Sequence, residues 1–309
     1  MHTENLSVGY AAGTPLVLFE GLNLQLSAGE LVCFMGPNGI GKSTLMRTLA
    51  GLHQPIDGKV VGVDVKSVAL VLTERVATTN MTVHELVGFG RYPYLNWSAK
   101  LSTVDEQKVD EALAMVHLDY LSAKKINELS DGQMQMVMIA RALAQETPYL
   151  LLDEPTAHLD LNNRVEIMKL LRTLARTAGK SILVATHELD LALQMADVIW
   201  LATRNKEVIT GMPEDLVLSG AFDEVFQLKG FDLKTGKVFQ EPFRNRTVKL
   251  EGTGPIYLWT KNALERNGYS INENSDKRVI ILSDDRLGWS FGKKTFLKLE
   301  ELMEYLNAI

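Results

Sequence analysis

A glycine-rich segment of eight residues constrains this chain more than any other feature. It runs from Gly36 to Ser43, reads GPNGIGKS, and follows a short apolar run, 31–35, that is typical of a buried strand. The next residues, 43–52, carry apolar side chains at helical spacing. A strand, a G-x-x-x-x-G-K-S loop and a helix in this order cradle the phosphates of a nucleotide in backbone N–H groups. The alternative is an ordinary strand-to-helix turn that contains these glycines by chance. Such a turn would not need the strand, the loop and the helix to follow one another in this order.

Length, charge and cysteine content limit the remaining possibilities. The chain has 309 residues, enough for one large domain with an appendage or for two domains. A net charge of -6 argues against bulk nucleic-acid binding, which needs clustered Lys and Arg. Cys33 is the single cysteine, so no intrachain disulfide forms, which fits a reducing compartment. The sequence shows neither a secretory signal nor an apolar run of membrane-spanning length, so we expect a partner to hold it at any membrane where it works.

Strand and helix patterns alternate along the first two thirds of the chain. Apolar and β-branched runs predict strands at 60–63, 68–72, 149–152 and 181–186. Helical periodicity predicts helices at 80–89, 104–113, 132–144 and 165–177, the last closed by Gly179. The alternation predicts an α/β sheet covered by helices on both faces. No strand is predicted between 83 and 126, so this stretch is interpreted as a helical insertion.

The pattern changes near residue 225. We interpret 1–225 as one domain, 226–246 as a linker and 247–309 as a small α+β unit. In that unit the patterns predict helices at 255–267 and 299–306 and strands at 278–283 and 289–291. Its glycine pattern, 252–254, is interpreted as a turn before a helix. The unit could hold two subunits together or sense a ligand, and its residues do not choose between these roles.

A small set of side chains is suited to phosphate chemistry. Lys42 would neutralise the β- and γ-phosphates, and the Ser43 hydroxyl would bind Mg²⁺. Asp153, at the end of a predicted strand, could hold the same metal through water. Glu154 points to the other side of that strand and is placed to polarise an attacking water. His187 also follows a strand and could reach the γ-phosphate, although a lone histidine is more often a surface or capping residue.

Several segments together resemble the motif set of ABC-transporter ATP-binding subunits. They are Gly36 to Thr44, Leu129-Ser130-Asp131-Gly132-Gln133, Leu150 to Glu154, His158-Leu159-Asp160, and His187. The resemblance covers roughly the first 220 residues. It implies a P-loop nucleotide-binding domain of the ABC type with a helical insertion, and it implies ATP hydrolysis with ATP and Mg²⁺ as cofactors.

The same resemblance assigns roles residue by residue. It implies a homodimer packed head to tail, in which Glu154 and His187 are catalytic and Asp153 and Ser43 hold the metal. Tyr10 matches the aromatic residue that stacks on adenine, although exposed tyrosines are common. The remaining nucleotide-binding residues it implies are Gly36, Asn38, Gly39, Gly41, Lys42, Ser43 and Thr44 on one subunit, with Ser130, Gly132, Gln133 and Asp160 facing the other.

Three details resemble one subfamily, the importers of ferric siderophores, haem and cobalamin. The first is Asp131 in the turn 129–133, which we call the signature turn. The others are the sequence Thr156-Ala157-His158-Leu159-Asp160, and Gly90-Arg91-Tyr92-Pro93-Tyr94 in the insertion. This resemblance implies a polytopic permease that inserts a helix into a groove of the insertion, and an external or periplasmic binding protein. It also implies a peripheral location on the cytoplasmic face of the plasma (inner) membrane and no nucleic-acid partner. The aromatic residues of 92–97 could dock the permease or only pack the insertion.

One position departs from the family pattern. In the family, a glutamine that senses Mg²⁺ follows the strand predicted here at 68–72. In this chain the sequence at that place reads Val71-Leu72-Thr73-Glu74-Arg75. Thr73 or Glu74 must occupy its place. We expect Glu74 to approach the metal, because a carboxylate is a good Mg²⁺ ligand.

Two other functions fit the phosphate loop less well. A soluble ATPase of the same fold acting on ribosomes or DNA usually carries two ATPase halves, a coiled coil or a basic arm, and this chain shows none of these. An ATP-binding regulator without turnover is disfavoured because Glu154 and His187 are both present.

Overall fold

The structure, a computed structural model, describes residues 1–11, 16–72, 80–97, 100–227, 231–233, 237–238, 246–282 and 288–308. The chain divides into two compact units, 1–227 and 228–309. Thr73 and Glu74, the two candidates for the missing glutamine, lie outside the described residues.

Two sheets organise the first unit. Its strands are β1 (His2–Tyr10), β2 (Leu16–Leu22), β3 (Leu31–Met35), β4 (Asp57–Val61), β5 (Val68–Val71), β6 (Tyr149–Asp153), β7 (Ser181–Ala185), β8 (Val198–Ala202) and β9 (Val208–Gly211). One sheet has three antiparallel strands in the order β2-β1-β4. The other has the order β5-β6-β7-β3-β8-β9 and is parallel except for β9.

Eight α-helices are described in the first unit. They are α1 (Lys42–Leu49), α2 (Val83–Gly88), α3 (Thr103–Met115), α4 (Asp131–Leu143), α5 (Leu161–Ala178), α6 (Leu189–Met195), α7 (Pro213–Ser219) and α8 (Ala221–Phe226). Short 3₁₀ turns cover Val65–Ser67, Phe89–Tyr94, Asp119–Leu121 and Ile126–Glu128. In the described part of 83–126, the only regular elements are helices and 3₁₀ turns, as the sequence predicts for the insertion.

The main core holds helix α1 against both sheets. Apolar side chains from α1, the antiparallel sheet and the central strands form one buried cluster, which includes Leu6, Val8, Phe19, Val32, Phe34, Leu45, Met46, Leu49 and Trp200. Phe34 makes edge contacts with Trp200 at a ring separation of 6.2 Å. Because close-packed interiors deform little, this cluster fixes where α1 begins and therefore where the glycine loop before it lies.

The predicted strands and helices are present with shifted ends. Helix α1 ends at Leu49 rather than at residue 52, because Gly51 adopts a left-handed φ of 73° just after the cap. Helix α2 begins at Val83 rather than at residue 80, since Thr82 and Glu85 form a reciprocal capping box there. Helix α5 ends at Ala178 and is capped by Gly179 in the left-handed conformation, as the sequence predicts.

Arg91 fastens the helical insertion to the end of α4. Its guanidinium is buried and donates hydrogen bonds to Asp105 Oδ1 at 3.0 Å, to the carbonyl of Ala144 at 2.7 Å and to Glu146 Oε2 at 2.8 Å. A cation near the final carbonyls of a helix is also favoured by the helix dipole. The ring of Tyr94 lies under the guanidinium, 4.0 Å from its central carbon.

The charges around Arg91 are matched. Hydrogen bonds from Ser102, and then from Arg91, lower the pKa of the Asp105 carboxyl. Partial burial raises the pKa of Glu146, but hydrogen bonds from Lys108 and Arg91 outweigh it and leave this pKa below its usual range. Both carboxylates are therefore charged partners of Arg91 at neutral pH.

In its described residues, the second unit contains a mixed sheet, a short two-stranded sheet and two helices. Its elements are β10 (Phe231–Asp232), β11 (Lys237–Val238), β12 (Arg246–Glu251), α9 (Gly254–Arg266), β13 (Tyr269–Ile271), β14 (Arg278–Leu282), β15 (Gly288–Phe291), β16 (Lys294–Phe296) and α10 (Leu299–Ala308). The main sheet has the order β13-β12-β14-β15-β16. Inside its apolar core, the Trp289 Nε1–H donates to the Thr260 hydroxyl at 2.8 Å. Across the described parts of both units, no helix has the length and apolar character that crossing a bilayer requires.

We expect Arg91→Met to loosen the insertion. The substitution removes the cation that pairs with the buried Asp105 carboxylate and with Glu146, and breaking a buried ion pair typically costs about 3–5 kcal/mol. Hydrogen exchange should show faster exchange for amides of α2 and α3. Tyr94→Phe is the matched control, because it removes one exposed hydrogen bond to the Gln145 carbonyl. Equal protection of these amides in the Arg91 variant and the control would contradict this account.

Candidate functional site

The glycine loop joins β3 to α1 through left-handed backbone conformations. Gly36, Gly39 and Gly41 have φ values of 153°, 74° and 109°, and Gly41 is the N-cap of α1. Gly36 also lies directly on β8, because a Cβ built on it would be 2.8 Å from the Cβ of Ala202. A residue with a side chain is disfavoured at such positions. Asn38 and Gly39 form the exposed tip of the loop.

Lys42 is buried inside this loop. Its ammonium donates to the carbonyl of Gly36 at 2.9 Å and to the carbonyl of Pro37 at 3.2 Å. Burial lowers the pKa of Lys42, and the negative charges of Glu154 and Asp153 oppose that shift. The carboxylates at the end of β6 are therefore close enough to act on this cation.

Three side chains lie at the carboxyl ends of neighbouring parallel strands. Asp153 ends β6 and is buried, and Glu154 follows it with a φ of 50°, a left-handed conformation that is uncommon outside glycine. The Glu154 N–H donates to the carbonyl of Ala185 at the end of β7 at 2.9 Å. His187, two residues beyond β7, places Nδ1 2.7 Å from Glu154 Oε2. A carboxylate only accepts, so Nδ1 carries the proton in this contact.

Tyr10 reaches the same edge from the antiparallel sheet. Its hydroxyl lies 3.1 Å from the Thr44 hydroxyl in the first turn of α1, and its ring is half exposed. The His53 ring packs edge-on against it at 5.4 Å, while His53 Nε2 lies 2.7 Å from the Gly9 carbonyl oxygen. These contacts make His53 the support of the Tyr10 ring.

The turn at 129–133 opens helix α4. Ser130 is the N-cap: its hydroxyl accepts from the Gln133 N–H at 3.2 Å, and Gln133 Oε1 accepts from the Ser130 N–H at 3.1 Å. Such a capping box satisfies two donors at the helix start. Gly132 is buried against Asn163 in the first turn of α5. Asp160, the N-cap of α5, accepts from the Asn163 N–H at 2.9 Å.

The predicted site residues therefore fall into two described clusters. The first, at the carboxyl edge of the parallel sheet, contains Tyr10, Gly36, Asn38, Gly39, Gly41, Lys42, Ser43, Thr44, Asp153, Glu154 and His187. The second contains Ser130, Gly132, Gln133 and Asp160. Glu74 is not among the described residues. Sequence reasoning did not single out Asn163, although its place three residues after Asp160 in a capping pattern was a usable signal.

A groove about 490 Å³ in volume lies on the helical insertion. Its apolar lining includes Phe89, Tyr92 and Leu95, and the first two rings pack 5.0 Å apart. Tyr94 instead hydrogen-bonds the Gln145 carbonyl, and Trp97 is fully exposed. The aromatic residues therefore divide: Tyr92 lines the groove, whereas Tyr94 packs on Arg91.

Family models match both units of the chain. The model described as "ABC transporter" matches residues 19–157, and the one described as "Iron ABC transporter C-terminal domain" matches residues 245–307. An uncharacterized ABC transporter ATP-binding protein of Methanocaldococcus jannaschii is 41% identical, over 88% of this chain and 98% of its own length. An achromobactin transport ATP-binding protein of Dickeya dadantii is 38% identical, over 73% of this chain and 87% of its own length.

Solved structures agree with these matches. A structure described as an inward-facing, metal-chelate type ABC transporter matches with a TM-score of 0.68 and 32% identity, over 74% of this chain and 88% of that one. A bacterial ABC transporter cassette solved as a dimer matches with a TM-score of 0.58 and 28% identity, over 69% of this chain and 98% of that one. The fold and the motif set define a P-loop ATPase. The chain belongs to the family of ABC transporter ATP-binding proteins, which confirms the resemblance found in the sequence.

We expect Gly36→Ala to destabilise the loop more than Gly39→Ala. Both residues have left-handed φ values, which cost a substituted residue about 1–2 kcal/mol. At Gly36 the added methyl also meets Ala202 at 2.8 Å, whereas nothing lies within 4 Å of the same atom at Gly39. Thermal unfolding without nucleotide would compare them. Equal losses for the two variants would show that the contact with β8 does not constrain the loop.

Proposed function

We propose that this chain is the ATP-hydrolysing subunit of an importer for a ferric siderophore, haem or cobalamin-like cargo. The observation that carries ATP hydrolysis is the grouping of Lys42, Asp153, Glu154 and His187 at one edge of the sheet. The cargo class is supported by the achromobactin transport relative and by the iron-transporter match of the second unit. These relatives also favour transport over action on ribosomes or DNA.

In this proposal the loop binds ATP by its phosphates. Backbone N–H groups of Gly39, Gly41 and their neighbours, at the positive end of α1, cradle the β- and γ-phosphates. Lys42 exchanges its carbonyl partners for phosphate oxygens, and Tyr10 stacks on the adenine. Burial gives the lysine charge a stronger interaction with phosphate than it would have in water.

Glu154 is the proposed general base. It accepts a proton as a water oxygen bonds to the γ-phosphorus, while the bond from that phosphorus to the bridging oxygen breaks and ADP leaves. His187 donates to Glu154 in this structure, and in this proposal it would hold the carboxylate and reach the transferred phosphoryl group. Glu154 has a left-handed backbone and contacts His187, and Asp153 is the buried last residue of β6, so we assign the two carboxylates different roles.

The donor set also fits Mg²⁺ bound with a nucleotide. No group of three His, Cys, Asp or Glu side chains suited to a metal occurs in the part of the chain that the structure describes. Mg²⁺ in nucleotide sites is bound by one or two carboxylates together with phosphates and water. The Ser43 hydroxyl and the Asp153 carboxylate would supply the protein oxygens, and we propose Glu74 as a further ligand. The bound ion would neutralise phosphate charge.

A head-to-tail homodimer would complete each site. Ser130, Gly132 and Gln133 open a helix of 13 residues, so that the α4 N-terminus can face the γ-phosphate held by the other subunit. Asp160 lies beside this turn, at the start of α5. The dimeric cassette among the structural matches supports such an arrangement.

The membrane would be reached through partners. We propose that the groove lined by Phe89, Tyr92 and Leu95 receives a helix of a polytopic permease, and that the chain is peripheral on the cytoplasmic face of the plasma membrane. An external or periplasmic binding protein would deliver the cargo, and no nucleic acid takes part.

Isolation of the tagged protein from mildly solubilised cells tests this function. We expect a polytopic permease to be recovered with it, and Tyr92→Asp to reduce that recovery because it places a charge in the apolar groove. Trp97→Asp is the matched control, since Trp97 is fully exposed and does not line the groove. Recovery of ribosomal or DNA-bound partners without a membrane protein would overturn the importer assignment.

Glu154→Gln is expected to nearly abolish ATP turnover while ATP binding persists. The amide keeps the shape of the side chain but cannot take a proton, and general-base catalysis contributes about 10²–10⁴-fold. Steady-state hydrolysis and equilibrium nucleotide binding would be measured together. Glu166→Gln, on the exposed face of α5, is the control and should retain activity. Hydrolysis by the Glu154 variant at the normal rate would remove Glu154 as the base.

A further inference from the structure

Asn163 connects the two turns that the proposed dimer places at its interface. Its side-chain Nδ2 donates to Asp160 Oδ2 at 2.8 Å, while its backbone N–H donates to Asp160 Oδ1 at 2.9 Å. The same side chain packs against the signature turn of α4: a Cβ built on Gly132 would lie 2.8 Å from Asn163 Cγ and 2.9 Å from its Oδ1. One amide therefore contacts both turns within a single subunit.

The contacts of Asn163 fix both the distance and the relative orientation of the signature turn and the turn at Asp160. Gly132 is buried in the first turn of α4, and the three atoms nearest to a Cβ built on it all belong to the Asn163 amide. Asp160 is exposed and is held by the two donors of Asn163. A shift of α4 relative to α5 must therefore disturb either the contact with Gly132 or the hydrogen bond to Asp160.

We propose that Asn163 is a positioning residue that sets the spacing between the signature turn and the Asp160 turn, so that both meet the facing subunit together. The inference rests on the proposed head-to-tail dimer. Asn163 acts through Gly132 and Asp160, and it contacts neither the phosphate loop nor Glu154 in the structure.

Capping of α5 does not account for this side chain. Helix α5 begins with Asp160 accepting from the backbone N–H of Asn163, a bond that any residue at 163 except proline can donate. Replacing Asn163 by alanine keeps this cap and removes only the Nδ2 bond and the contact with Gly132. Asn163→Asp keeps the volume but places a second carboxylate where Nδ2 donates to Asp160, so repulsion replaces attraction.

ATP-dependent dimerisation of the full chain tests the inference. The parent carries Glu154→Gln so that bound ATP persists, and the dimer dissociation constant is measured by analytical ultracentrifugation with ATP and Mg²⁺. We expect Asn163→Ala in this parent to weaken the dimer by about tenfold, because the two turns must then be ordered during association rather than before it. Asn163→Asp should weaken it at least as much.

Two measurements separate positioning from a general structural effect. Binding of ATP to the monomer, measured at protein concentrations below dimerisation, should stay within about twofold of the parent, since the phosphate loop is untouched. The thermal midpoint should also stay close to that of the parent, because the α5 cap remains. Asn162→Ala is the matched control: Asn162 is exposed, lies one position earlier, and should leave the dimer unchanged.

The outcomes distinguish this inference from the proposed function. Normal dimerisation of both Asn163 variants would overturn the positioning role and leave the ATPase dimer intact. An equal loss of ATP binding by the monomer would also overturn it, since Asn163 would then act on its own phosphate loop. A parent that remains monomeric with ATP would remove the proposed dimer itself, and the inference with it.

Discussion

The alignment of three parallel strands is the constraint on which the site depends. Strands β6, β7 and β3 are consecutive neighbours in the sheet, and their backbone hydrogen bonds keep their carboxyl ends at one edge. Residues more than a hundred positions apart, such as Lys42 and Glu154, are thereby brought close enough for their charges to interact. In open α/β sheets this edge is where ligands bind, since side chains leaving adjacent strands converge there. This sheet therefore aligns the glycine loop with the acidic strand.

Burial makes the charge arrangement at that edge specific. Lys42 lies where desolvation disfavours its charge, and two loop carbonyls and two carboxylates compensate for it. A phosphate group would bring stronger compensation than neutral carbonyls do. The loop therefore holds its cation in a position from which an anion can attract it. The glycines allow this, because their left-handed conformations let the backbone fold around a side chain that is almost completely buried.

Local patterns predicted the elements that form the site better than the elements around it. The phosphate loop, the acidic strand and the helices after each of them carry strong periodicity or fixed spacing, and the structure contains them. Strand β1 was not predicted, because register shifts at Leu6, Val8 and Gly9 break the alternation that identifies a strand. Strand β13 spans three residues, too few for any periodic signal.

The functions of individual side chains were harder to predict than the elements that carry them. Arg91 belonged to a motif that marked a subfamily, but its partners Asp105, Ala144 and Glu146 are 14 to 55 residues away and only the fold brings them together. The left-handed backbone of Glu154 likewise has no signature in sequence, because the residue type there is chosen for its carboxylate and tertiary contacts impose the conformation.

Helix α4 joins two surfaces that serve different partners in the proposed importer. Its first turn carries the capping box of Ser130 and Gln133, and the carbonyl of its C-cap residue, Ala144, accepts from Arg91 in the segment that lines the insertion groove. Gly90 lies so close to the Arg141 carbonyl that a Cβ there would be 2.2 Å from its oxygen, so this segment has no freedom to slide along the helix.

At 1.5 Å per residue, helix α4 spans about 20 Å. In the proposed importer, a displacement at the groove would therefore act on the same helix that carries the signature turn. The contact between Gly132 and Asn163 would then link that turn to Asp160. In the proposed importer, the permease would therefore bind near one end of α4, and the ATP site would close at its other end.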